Sequence, residues 1–144
     1  MSVDPGFTQD LRHSVLTLHK ALLDAQRIRY EREHGRISTS GEFLGLVLEH
    51  PSFAWLRTLS ALIARLDEWI EDKEEASAED LAAMIQALRS LIESGGRDVG
   101  FNKPYWEIAN QVPEVLVAHV KLWRLIQPPG ASAASTRTAD QPRG

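Results

Sequence analysis

Phe53-Ala54-Trp55-Leu56-Arg57-Thr58-Leu59-Ser60-Ala61-Leu62-Ile63-Ala64-Arg65-Leu66-Asp67-Glu68-Trp69-Ile70 carries the fold class in its spacing. Trp55, Leu59, Leu62, Leu66 and Trp69 recur alternately four and three residues apart. That is one stripe of a helix with 3.6 residues per turn. Phe53, Leu56, Ile63 and Ile70 widen the stripe, with Leu62 at its middle. The spacing predicts a helix from Pro51 or Ser52 to about Asp72, central to the molecule.

The same period recurs on both sides of this segment. Upstream, Leu11, Val15, Leu18, Leu22 and Ala25 predict a helix from about Phe7 to His34. Leu16, Leu23 and Tyr30 broaden its buried face, and Gly35 stops it. Thr39 and Glu42 form a capping-box pattern that opens a short apolar helix through Phe43, Leu44, Leu46, Val47 and Leu48. His50-Pro51 ends it, because the residue before proline is pushed out of the helical region.

Downstream, Ser77 caps a helix with Glu79 and Asp80 in its first turn and Leu81, Met84, Ile85, Leu88, Leu91 and Ile92 on its buried face. Gly95-Gly96 ends it, and a polar loop is expected up to Lys103. Pro104 opens a further helix. Pro113 restarts the chain, and Val115, Leu116, Val120, Leu122, Trp123 and Ile126 form the last apolar face. The expected architecture is all-α: an irregular antiparallel bundle of four main helices plus two short ones, one domain over residues 1–127. From Pro128 the composition turns to Pro, Gly, Ala, Ser and Thr, and residues 128–144 are expected to be a disordered tail.

Composition excludes several classes of function. The chain has 144 residues, 43% apolar and 25% charged, enough to bury one core without staples. It has no cysteine, so disulfides, thiolate catalysis and zinc-cysteine sites are absent. A formal net charge of −4 offers no global field for nucleic acid, and none is expected as a partner. No uncharged apolar run is long enough to span a membrane. The start, Met1 to Gly6, has neither the basic residues nor the apolar core of a signal peptide. A cytoplasmic location follows by default.

Four groups of residues could carry chemistry. Asp67 to Glu75 is dense in acid, but lacks the alternate ligands and central glycine of a calcium loop; it reads as a solvated helix end. Glu31 and His34 form one Glu-x-x-His unit of the di-iron carboxylate type, with no second unit to complete a ligand set. Arg29 and His34 stand within the arginine-to-histidine spacing of a superfamily of small helical ribonucleases. Tyr30 after the arginine, and the early position of the pair, depart from that pattern.

The fourth group is His19 and His119. Each faces the middle of an apolar stripe, one on the first helix and one on the last. The plainer expectation is two core histidines bonded to a carbonyl, a hydroxyl such as that of Ser60, or an acid such as Asp67. The sharper one is a ligand pocket of His19, His119 and Trp123 that encloses a small polar molecule, haem or a metal. The sequence does not specify a cofactor or metal. The four tryptophans are expected to pack in the core, each indole N–H seeking an acceptor.

No nucleophile–base pair, phosphate loop or complete metal set can be assembled. The leading expectation is a non-enzymatic interaction or regulatory protein, with a homodimer or another protein as its partner. The alternative is a helical bundle that binds a small ligand, haem or a metal, and the remote one a small helical ribonuclease.

A resemblance also enters. Leu18-His19-Lys20 with Leu22-Leu23-Asp24, Tyr30-Glu31, His34-Gly35, Phe53 to Arg57 with Leu59-Ser60 and Leu62-Ile63, and Val117-Ala118-His119 together resemble a set of small bacterial all-helical proteins with no assigned activity. The resemblance implies a bacterial cytoplasmic protein and transfers no catalytic residue.

Overall fold

A computed structural model describes residues 4–72 and 76–127. The expected tail at 128–144, and part of the acidic segment, lie outside them. Every regular element among the described residues is helical: α1 (Pro5–His34), α2 (Ser40–Glu49), a 3₁₀ turn (Pro51–Leu56), α3 (Arg57–Glu71), α4 (Ala78–Ile92), α5 (Val99–Ala109) and α6 (Pro113–Leu125). Among these residues no helix is long and apolar enough to cross a membrane.

The ends of the elements follow local chemistry. Asp4 caps α1 by accepting from the Gly6 amide at 3.0 Å. Gly35, at φ 93°, ends it in a conformation that a side chain would disfavour. The Thr39 hydroxyl accepts from the Glu42 amide, and the Glu42 carboxylate reaches back to the Ser38 amide at 2.8 Å. The box therefore closes on Ser38. Ser77 caps α4 through the Asp80 amide.

Two boundaries differ from expectation. The segment predicted as one helix from Pro51 begins as a 3₁₀ turn and becomes α-helical only at Arg57. The stretch predicted as loop up to Lys103 is already helical from Val99. Asp98 starts it by accepting from the Phe101 amide, so Pro104 lies inside α5 and leaves the exposed Gly100 carbonyl without its usual donor.

One apolar core gathers Leu11, Val15, Leu18 and Leu22 of α1, Phe53 and Leu56 of the 3₁₀ turn, Leu59 of α3, Ile92 of α4, Phe101 and Tyr105 of α5, and Val115 and Leu122 of α6. On α3 the deepest residue is Leu59, while Leu62 is half-buried. The expected stripe centre is thus rotated by about one position. α1 and α6 lie side by side in opposite directions. Phe7 shares a groove with Leu125, and Ala25 shares one with Val112.

The chain between α1 and α2 is tied down by polar contacts. Ile37 is buried there, its amide donating to the Glu31 carboxylate at 2.9 Å and its carbonyl accepting from Arg27. The end of α4 is sealed by side chains of α5. Asn102 donates to the Leu91 and Glu93 carbonyls at 3.0 and 2.7 Å, and the Trp106 indole donates to the Ile92 carbonyl at 3.1 Å. Gly96 makes this approach feasible, since a Cβ there would collide with the Ser90 carbonyl and the Asn102 amide.

Candidate functional site

The stripe Phe101, Tyr105, Ile108 and Ala109 of α5 faces the stripe Val115, Ala118, His119 and Leu122 of α6. The i, i+4 spacing on each helix brings one polar group of each into the same apolar layer. Tyr105 is fully buried, and its hydroxyl lies 2.6 Å from Nδ1 of His119. Among the described residues the hydroxyl has no other partner, so the network assigns it as the donor and places the imidazole proton on Nε2. Burial raises the Tyr105 hydroxyl far above the usual phenol range and lowers the His119 imidazole. Both are neutral at neutral pH.

Two indoles complete this cluster. Trp123 stacks on the His119 ring at 5.8 Å and 13°, and Trp106 meets it edge-on at 4.8 Å. The expected partners His119 and Trp123 are therefore together. His19 is placed elsewhere: its Nε2 lies 2.9 Å from the Ser60 hydroxyl, which itself donates to the Leu56 carbonyl. His19 thus donates to Ser60 on α3, while His119 engages Tyr105 on α5. Among the described residues the two rings make no contact with each other.

The remaining candidates resolve into structural contacts. The Glu31 carboxylate is occupied by the Ile37 amide and by Arg27 at 3.6 Å, while His34 packs on Tyr30 and His50 with ring centroids 4.5 and 5.5 Å away. Arg29 reaches Glu107 of α5 at 3.6 Å, on a different element from the partners of His34. Asp67 pairs with Arg12 at 2.7 Å. Among the described residues no three His, Asp or Glu side chains are grouped to hold a metal ion. Three indoles find acceptors: Trp55 on Gln26, Trp69 on the Ser77 carbonyl and Trp106 on the Ile92 carbonyl.

A neutral tyrosine–imidazole pair between two indoles can hold one hydrogen bond in an apolar layer. Among the described residues no serine or threonine hydroxyl joins the cluster as a nucleophile. Two surface features carry more binding capacity and were not singled out from the sequence. One is the outer face of α2, whose signal was Gly41 and Gly45 at helical spacing between leucines. The other is a groove between α1 and α6, whose signal was Ser14 set among apolar neighbours at Leu11, Val15 and Leu18. Comparison of the chain with family models, with curated proteins and with solved structures finds no match, so function is argued from the chain's own residues.

The two lowered imidazoles give a pH dependence. Their folded values lie below the ordinary 6.5, so the unfolded chain binds protons first as pH falls. The stability present above pH 6.5 is then lost progressively on acidification. Denaturation midpoints should be lower at about pH 5.5 than at about pH 7.5. The drop should shrink in His19→Gln/His119→Gln, and an equal drop in that variant would assign it to other groups.

Proposed function

We propose that this chain is a non-enzymatic helical interaction or regulatory protein that pairs with a second copy of itself through α2. An irregular antiparallel arrangement of four main helices and two short ones serves as its scaffold. The observation that carries the reading is the exposure of α2. It contributes no buried residue to the fold, and Leu44 and Leu48 are 59% and 62% exposed.

The helix has two apolar faces. Phe43, Leu46 and Val47 turn inward, and Phe43 meets Phe53 edge-on at 5.8 Å beneath the Arg27 guanidinium. Gly41, Leu44, Gly45 and Leu48 follow the i, i+3, i+4, i+7 pattern on the opposite side. Nothing lies within 4 Å of a Cβ built on either glycine. Leucine knobs beside glycine gaps are complementary to the same face of another copy, and a two-fold interface requires that self-complementarity.

A helix of 10 residues is about 15 Å long. Its face falls short of the roughly 800 Å² per partner of a standard stable interface, so the association is weak.

Sedimentation between about 10 µM and about 1 mM covers the range of such an interface. The average mass should rise above the 16.1 kDa of one chain. The rise should vanish in Leu44→Ser/Leu48→Ser and in Gly45→Gln, which fills the gap while improving helix propensity. A strict monomer throughout, or association unchanged in both variants, would contradict the reading.

A further inference from the structure

Between α1 and α6 lies a groove of about 420 Å³, within the ~300–1,000 Å³ range of small-molecule sites. Asp10, His13, Ser14 and Thr17 of α1 form one wall, and Lys121 and Arg124 of α6 form the other, over a floor that includes Ala118. The spacings 10, 13, 14, 17 and 121, 124 keep each set on a single helix face.

Three observations bear on what this groove accepts. Ser14 is only 8% exposed, yet its hydroxyl has no hydrogen-bond partner among the described residues. It lines the groove, and no buried side-chain polar atom is left sealed off without a partner. The hydroxyl is therefore offered to whatever occupies that space. Second, Lys121 and Arg124 line one side of the groove and form no ion pair among the described residues. Third, Asp10 stands without a cationic partner at the same groove, although Arg124 lines it too.

We propose that this groove binds a phosphate monoester of a small hydroxylated molecule. Two neighbouring cations match a phosphate dianion, and charge-assisted hydrogen bonds to Lys121 and Arg124 hold it. The Ser14 hydroxyl donates to a phosphate oxygen. Asp10 would repel a second anionic group but accepts hydrogen bonds from hydroxyls, so it selects a polyol body over a second phosphate. The site is separate from the α2 face, and its failure would leave the pairing proposal unaffected.

The test titrates the full chain with glucose 6-phosphate, followed by amide NMR shifts, with glucose and inorganic phosphate as comparisons. Saturable shifts are expected at residues 10–17 and 118–125, with glucose 6-phosphate binding tighter than either comparison. Lys121→Gln and Arg124→Gln, both on exposed side chains, should each weaken binding about tenfold with helicity retained. Asp10→Asn should narrow the preference over inorganic phosphate. No saturable shift up to about 10 mM, far weaker than an ordinary metabolite site, would overturn the proposal. So would shifts unchanged in Lys121→Gln/Arg124→Gln, or inorganic phosphate binding as tightly as the sugar phosphate.

Discussion

Phe53→Ala is expected to cost about 3–5 kcal/mol, the usual loss when a fully buried aromatic is truncated. Phe53 has no exposed surface. It holds three segments at once: its ring lies 6.0 Å from Tyr30 of α1 and 5.8 Å from Phe43 of α2, and its own 3₁₀ turn leads into α3. Truncation leaves a cavity that these rings cannot collapse into without moving α2. The denaturation midpoint should fall accordingly, and amide exchange in residues 40–49 should accelerate more than elsewhere. A loss below about 1 kcal/mol, the range of surface positions, would show that Phe53 does not hold the core.

Asn102→Ala is expected to cost about 1–3 kcal/mol, the usual loss when a buried carbonyl is left unpaired. Asn102 is buried, and its amide caps the Leu91 and Glu93 carbonyls at the end of α4. The Leu91 carbonyl has no intrahelical donor, because the helix has ended, while that of Glu93 also accepts from the Gly96 amide at 3.1 Å. A loss below about 1 kcal/mol in denaturation experiments, the range of surface positions, would show that the amide does not hold this end of α4.

The helical class and most element ends were legible because they depend on near neighbours. Apolar spacing, Thr39, Ser77, Gly35 and His50-Pro51 act within a turn or two of themselves. The start of α5 was not legible for the opposite reason. Gly95, Gly96 and Gly100 lower local helix propensity, and Asp98 begins a helix there because Asn102 docks on the end of α4. That docking depends on residues 9 to 11 positions away, which no local pattern encodes.

The candidate site was legible in the same uneven way. Ser60 stood among the expected partners of His19 and is its partner, whereas Asp67 is taken by Arg12. His119 and Trp123 share a helix, so their spacing of four placed them together. Tyr105 as the partner of His119 depends on how α5 packs against α6, across 14 residues. The exposed side of α2 was hidden by its composition. Leu44 and Leu48 belong to one apolar run with Phe43, Leu46 and Val47, and only the packed arrangement shows that the latter three face inward.

Self-pairing through α2 assigns a role to the one described α-helix that buries none of its residues. A dilution series of amide NMR spectra tests this most directly, because it reports where contact occurs as well as whether it occurs. On raising the concentration toward about 1 mM, where weak interfaces populate, shifts and broadening should concentrate in residues 40–49, with Gly41, Leu44, Gly45 and Leu48 the most affected. Spectra unchanged across the series, or changes centred on another face with α2 unmoved, would contradict the account.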